Sequence, residues 1–118
     1  MSNPVTQFQI LAKNPDRAAE FYGRLFDWKI SADNPLSYRT IDTGAGRGIQ
    51  GGIWPCPPEG QSLVQLFVEV KDLAATIETA TRLGGQVVLP PQTLPQGEQM
   101  AIILDPEGLP VGLFRPAE

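Results

Sequence analysis

The chain has no histidine, one cysteine (Cys56), and only nine lysines and arginines among its 118 residues. Each shortage closes off a class of function. Without histidine there is no imidazole to activate a serine or cysteine nucleophile, so Ser-His and Cys-His arrangements are excluded. Cys56, set between prolines, reads as a partly buried linker thiol. A lone cysteine forms no intramolecular disulfide, and nothing marks an oxidising compartment. The basic residues are scattered and the net charge is -4, which argues against a phosphate-backbone partner, because counterion release needs clustered cations. No apolar run approaches the roughly 20 residues of a membrane-spanning helix, and the opening MSNPVTQF has neither the basic nor the apolar region of a secretory signal. The expectation is a cytoplasmic protein with neither nucleic-acid nor membrane partners.

What is present is a globular composition, 42% hydrophobic and 19% charged, with 12 glycines and 12 prolines that imply many turns between short elements. The length suits one domain. Within it a plan occurs twice. Asn14 to Ile30 (NPDRAAEFYGRLFDWKI) and Asp72 to Val88 each run through a helical spacing of apolar positions and end in strand-like alternation, with Asp72 set against Asp16 and the second helix expected over Asp72 to Leu83. In the first copy Asn14 is an N-cap, Pro15 takes the first helical position and Asp16 sits where the helix dipole favours negative charge. Ala18, Phe21, Tyr22 and Leu25 form the apolar spacing, and Phe26 to Ile30 alternates as a strand. In the second, Leu73, Ile77, Ala80 and Leu83 form the stripe and Gly84-Gly85 ends the helix before Gln86 to Leu89.

The remaining segments complete each copy. Thr6 to Ala12 and Leu63 to Val70 alternate as leading strands. Asp33-Asn34-Pro35 turns into a strand over Leu36 to Asp42, Gly44 to Gly48 is a loop, and Ile49 to Trp54 closes the first half. Residues 55–62 are a proline-rich linker. Pro90, Pro91 and Pro95 are expected to break the chain. Glu98 to Leu104 and Pro110 to Arg115 are strands joined by Asp105-Pro106-Glu107-Gly108, a type I turn. Gly46 to Gly51 spells GxGxxG, but the prolines that follow forbid the helix that a dinucleotide fingerprint needs.

Strand, helix and three strands, twice over, together with AEFYGRLFDWKI and DPEGLPVGLF, resemble the vicinal oxygen chelate superfamily of glyoxalases, bleomycin resistance proteins and extradiol dioxygenases. The resemblance implies an α+β fold of two tandem βαβββ modules, about residues 4–54 and 63–115, forming a curled, cup-shaped mixed sheet with helices on the outside. Metal-dependent members carry a ligand on the first and last strand of each module. The matching positions here are Gln7, Gln65, Gly52 and Gly112, two neutral amides and two glycines, too little to offset the dehydration of a divalent ion. Leu109 also stands where the family's turn usually has Asn. No metal and no cofactor is expected, unless Glu69, Glu98 or Asp42 substitutes from a neighbouring position.

Strand phase anchored by the resemblance turns Gln7, Gln9, Gln50, Gly52, Trp54, Gln65, Phe67, Gly112 and Phe114 toward the cup. Amides, aromatic rings and glycines compose a small-molecule site. The two glycines are expected to leave open space there. Glu69, on the face of Gln65 and Phe67, is the candidate general acid or base. The resemblance thus points to a protein that binds a small, partly apolar organic molecule, with a metal-dependent lyase or dioxygenase and a site-free interaction scaffold as alternatives. It also implies a homodimer, which would cover strand edges. Phe8, Ile10, Phe21, Leu25, Leu66, Val68, Ile77 and Leu113 are expected to be buried between sheet and helices.

Overall fold

A computed structural model of the chain describes residues 2–33, 38–56 and 58–117. Its elements run β1 (Val5–Ala12), α1 (Pro15–Phe26), β2 (Lys29–Ser31), β3 (Arg39–Asp42), β4 (Gln50–Pro55), β5 (Leu63–Glu69), α2 (Leu73–Arg82), β6 (Gln86–Thr93), β7 (Gln99–Leu104) and β8 (Pro110–Arg115). This is the expected βαβββ order, twice, in an α+β chain of mixed sheet. Two compact units result, residues 7–65 and residues 66–118 joined by residues 1–6.

In the 7–65 unit the strand order is β2-β3-β4-β1, with β1 parallel to β4 and the other pairs antiparallel. The parallel pair is possible because α1 carries the chain back across one face of the sheet. Asn14 caps α1 by accepting the Arg17 backbone N–H at 3.1 Å, and Pro15 occupies the first turn. At the other end Asp27 adopts a left-handed conformation, φ 59°. That residue reverses the chain, so the strand starts at Lys29 and not at Phe26. The core is Ile10, Ile41 and Ile53, packed against Ala18, Ala19, Tyr22, Trp28 and Ile30.

The helix phase differs from the expected one. Ala18, Ala19 and Tyr22 face the sheet, whereas Phe21 and Leu25 are each 58% exposed. Tyr22 instead stacks on Trp28 with ring centroids 6.0 Å apart, and Phe26 and Phe8 approach the same indole. An aromatic cluster around Trp28 thus fixes the helix rotation, and small alanines let its backbone lie close to the strands.

In the second unit the order is β5-β8-β7-β6, with β5 and β8 parallel. Asp72 caps α2 through the Ala75 N–H at 3.0 Å. Val70, Leu73, Ala101 and Leu113 form its core, with Ile77 and Ile103 packed on it. Leu66 was expected inside and is 52% exposed; Leu83, read as part of the apolar stripe of this helix, is its C-cap and is exposed as well. Residues 1–6 join this unit through Glu69 N–H to the Pro4 carbonyl at 2.9 Å. Pro90 and Pro91 do not break the chain: β6 runs through both. It is the edge strand of the unit, and its register against β7 shifts on either side of Leu89, which accommodates residues that cannot donate to the ladder. The Asp105–Gly108 turn forms as expected, with Gly108 N–H on the Asp105 carbonyl at 2.9 Å and φ 89° at Gly108.

Asn34, Pro35, Leu36, Ser37 and Pro57 lie outside the described residues, and with them parts of the expected turn, third strand and linker. No helix among the described residues is long and apolar enough to cross a membrane.

Candidate functional site

In the 7–65 unit, β1 and β4 pair with Gln7 opposite Gln50, Gln9 opposite Gly52 and Leu11 opposite Trp54. Alternation puts these six positions on the sheet face opposite α1, since Phe8, Ile10 and Ile53 take the helix side. Thr40 of β3 pairs with Gly52, so Tyr38, two residues earlier, joins the same face. There its ring stacks on Trp54, centroids 4.3 Å apart and planes 23° from parallel.

The phenol lies over Gly52, where a Cβ would overlap its oxygen and ring. The space expected at this glycine is therefore taken by Tyr38. Its hydroxyl donates to Gln9 Oε1 at 2.7 Å, and Gln9 Nε2 donates in turn to Gln7 Oε1 at 2.6 Å. Gln9 is 4% exposed, so both ends of a buried amide are satisfied by this chain. Gln7 and Trp54 are only partly buried and bring the assembly to the surface. Burial pushes the Tyr38 phenol up to about 12, a rise only partly offset by its hydrogen bond to Gln9.

A raised phenol has a consequence at alkaline pH. Folded Tyr38 holds its proton where the unfolded residue, near its ordinary value of about 10, has lost it. The native state then binds more protons, and stability present below pH 10 is lost as pH rises toward 12. Melting temperature followed across this window should fall more steeply for the native sequence than for Tyr38→Phe; equal slopes would place the phenol in ordinary solvent.

Gln50 shares the face but its amide is committed elsewhere. Oε1 accepts the Thr43 N–H at 2.8 Å and Nε2 donates to Asp42 Oδ1 at 3.0 Å, which pins the loop before β4. Asp42 also accepts from Gly44 N–H, so its carboxylate serves that loop. Gln65, on β5, is 3% exposed.

In the other unit Phe67 pairs with Gly112 and Glu69 with Phe114 across β5 and β8. Phe67 is 4% exposed and its ring lies on Gly112, where a Cβ would sit 2.5–2.7 Å from three ring carbons. This second glycine is also covered by an aromatic ring. Phe114 is partly buried, opposite Met100 on β7. Glu69 is partly buried, and its backbone carbonyl accepts from Asn3 Nδ2 at 3.0 Å. Glu98 keeps one carboxylate oxygen buried without a hydrogen-bond partner among the described residues. No three of the described Cys, Asp and Glu side chains gather as a metal-binding group.

Tyr38 is the residue that the sequence reading missed. A large aromatic beside a glycine of the neighbouring strand, in phase with it, is a known way of filling the missing side chain, and that spacing was there to be read.

The family model described as glyoxalase-like domain matches residues 7–114. The mycobacterial proteins named "Putative glyoxylase CFP32", from Mycobacterium bovis and Mycobacterium tuberculosis, are 31% identical over 106 residues, 83% of this chain and 40% of theirs. The chain thus spans well under half the length of these curated relatives. A "Glyoxylase-like domain-containing protein" of Didymella fabae is 31% identical over 91 residues, covering 70% of this chain and 69% of its own. Among solved structures, methylmalonyl-CoA epimerase from Mycobacterium tuberculosis superposes with a TM-score of 0.70 at 16% identity, over 97% of this chain and 88% of that one. A glyoxalase/bleomycin resistance protein/dioxygenase superfamily member from Vibrio splendidus gives 0.65 at 10% identity, over 97% and 98%. At these identities the likeness is one of fold.

Proposed function

The chain belongs to the glyoxalase-like domain family, and from that premise we propose that it is a metal-independent member that binds a small, partly apolar organic molecule against Tyr38 and Trp54. The observation that carries this reading is the pairing of a flat aromatic surface with a hydrogen-bonded amide end on one face of one sheet. Stacked rings offer apolar contact at little entropic cost, and the amides fix the orientation of a polar substituent.

The residues at the family's ligand positions do not fit a divalent ion. Gly52 carries no side-chain donor atom and is covered by a phenol, Gly112 is covered by Phe67, and the Gln7 amide oxygen already accepts a hydrogen bond. Other proteins of this fold support an organic ligand: one methylmalonyl-CoA epimerase structure is a complex with methylmalonyl-CoA and NH4+. As part of the same reading the protein is a cytoplasmic homodimer acting as a single domain, with the exposed Phe21, Leu25 and Phe26 of α1 available to a second copy.

The test is thermal shift of EDTA-treated protein against aromatic and quinone-like compounds, run in parallel with zinc, nickel, manganese and iron. A ligand at 100 times its dissociation constant adds about 2.7 kcal/mol, a rise on the order of 10 °C for a domain of this size. The expected result is a rise with at least one organic compound and none with the metals. A metal-dependent rise abolished by Gln7→Ala would favour the lyase or dioxygenase alternative. No rise with any compound would leave a scaffold.

A further inference from the structure

The hydrogen bonds on this face run in one direction. Tyr38 donates to Gln9 Oε1, and Gln9 Nε2 donates to Gln7 Oε1. Gln9 is buried, so its amide orientation is set by its two neighbours and not by water. With its oxygen accepting from Gln9, the Gln7 amide turns its NH2 group, which can only donate, away from the relay. Gln7 is half-buried at the open end, and the three polar groups in line are all uncharged.

We propose that Tyr38 is a positioning residue that polarises this relay, so that Gln7 presents N–H donors and the site selects a planar ligand carrying a neutral hydrogen-bond acceptor, a carbonyl of a ketone, ester, amide or quinone. This rests on the binding reading above and names the ligand class of the same site. The ring of the ligand lies against the Tyr38–Trp54 pair and its carbonyl oxygen accepts from Gln7 Nε2. A cation is disfavoured because it would meet amide hydrogens. A carboxylate accepts equally well, but loses hydration with no opposite charge among the three presenting groups. Removal of the phenol hydroxyl leaves Gln9 Oε1 without its donor; the Gln9 amide then turns to accept from Gln7 Nε2, and Gln7 presents its oxygen instead. The raised phenol keeps its proton throughout the physiological range, so the direction does not change with ordinary shifts of pH.

The experiment is measurement of dissociation constants by NMR titration for four probes of one shape: acetophenone, ethylbenzene, benzoate and benzylamine as its ammonium ion. A net neutral hydrogen bond is on the order of a fivefold gain. Acetophenone should therefore bind about fivefold tighter than ethylbenzene, and both should bind more tightly than benzoate and benzylammonium. Tyr38→Phe keeps the stacked ring, and Gln7→Leu keeps the bulk; each should abolish the acetophenone advantage, read as the ratio of the acetophenone and ethylbenzene affinities of the same variant. A purely structural role for Tyr38 would weaken all four probes together, and that result would overturn the proposal. Equal affinities of acetophenone and ethylbenzene, or a preference for benzylammonium or benzoate, would overturn it while leaving the binding reading intact. Failure of all four to bind would overturn both.

Discussion

Replacing Ile53 by alanine is expected to cost about 2–5 kcal/mol, the range for truncating a fully buried aliphatic side chain and leaving its cavity. Ile53 has no exposed surface, and it stands on β4 between Ile10 of β1, its parallel partner, and β3, where it pairs with Arg39. With Ile10 and Ile41 it forms the core on which α1 packs. Neighbours held by strand pairing on both sides cannot collapse into the void, which places the cost toward the upper part of the range. Phe21→Ala supplies the contrast. Its cavity cost would have been about 3–5 kcal/mol had the ring been buried, but with the ring 58% exposed a loss below about 1 kcal/mol is expected. Urea denaturation of the two variants distinguishes the helix rotations: a large loss for Phe21→Ala with little for Ile53→Ala would mean that α1 is turned the other way.

Gly112→Phe is the second large effect. Had the glycine opened onto free space, a new ring would block a ligand and leave folding intact. The Phe67 ring occupies that space, within 2.5–2.7 Å of where the new Cβ would stand, and is itself only 4% exposed. It has little room to withdraw, so the substitution overpacks the unit and is expected to cost about 1–3 kcal/mol. Phe67→Ala alone leaves a cavity, whereas the double variant returns one ring to the shared space. The double variant should therefore be more stable than the sum of the single changes predicts, since residues in contact are not additive. Stability of Gly112→Phe equal to the native protein would show that the ring moves freely and that this glycine does open onto space.

The parts of the fold that were legible in the sequence are those where one residue's chemistry decides a local conformation. Asn14 with Pro15 and Asp105 with Gly108 each dictate a cap or a turn through a short-range hydrogen bond or a fixed dihedral angle, and each is found as read; Asp72, read as the first residue of its helix, is its cap. Spacing was weaker evidence where two phases competed. Phe21 and Leu25 mark a more hydrophobic stripe on α1 than Ala18, Ala19 and Tyr22, yet close packing on the sheet selected the alanines, and the Trp28 cluster selected Tyr22. Pro90 and Pro91 signal a break from local chemistry alone, and only the edge position of β6, a property of the whole sheet, makes them tolerable there.

The candidate site shows the same division. Strand alternation brought Gln7, Gln9, Gly52 and Trp54 to one face, but neither the direction of the amide relay nor the rings lying on Gly52 and Gly112 follows from alternation. Both depend on side chains that reach across strands. Tyr38 enters the site by covering a glycine on the adjacent strand, and Gln50 leaves it because Asp42 and Thr43 are nearer partners for its amide.

The most direct measurement is a titration of 15N-labelled, EDTA-treated protein with acetophenone, followed through side-chain N–H resonances. The chain's two tryptophans lie on opposite faces of one sheet, Trp28 in the cluster with α1 and Trp54 beside Tyr38. Saturable shifts of the Trp54 indole and the Gln7 and Gln9 amides, with Trp28 unmoved, are the predicted result. Shifts confined to Trp28, or binding that disappears with EDTA and returns with a divalent metal, would contradict a metal-independent site on the Tyr38 face.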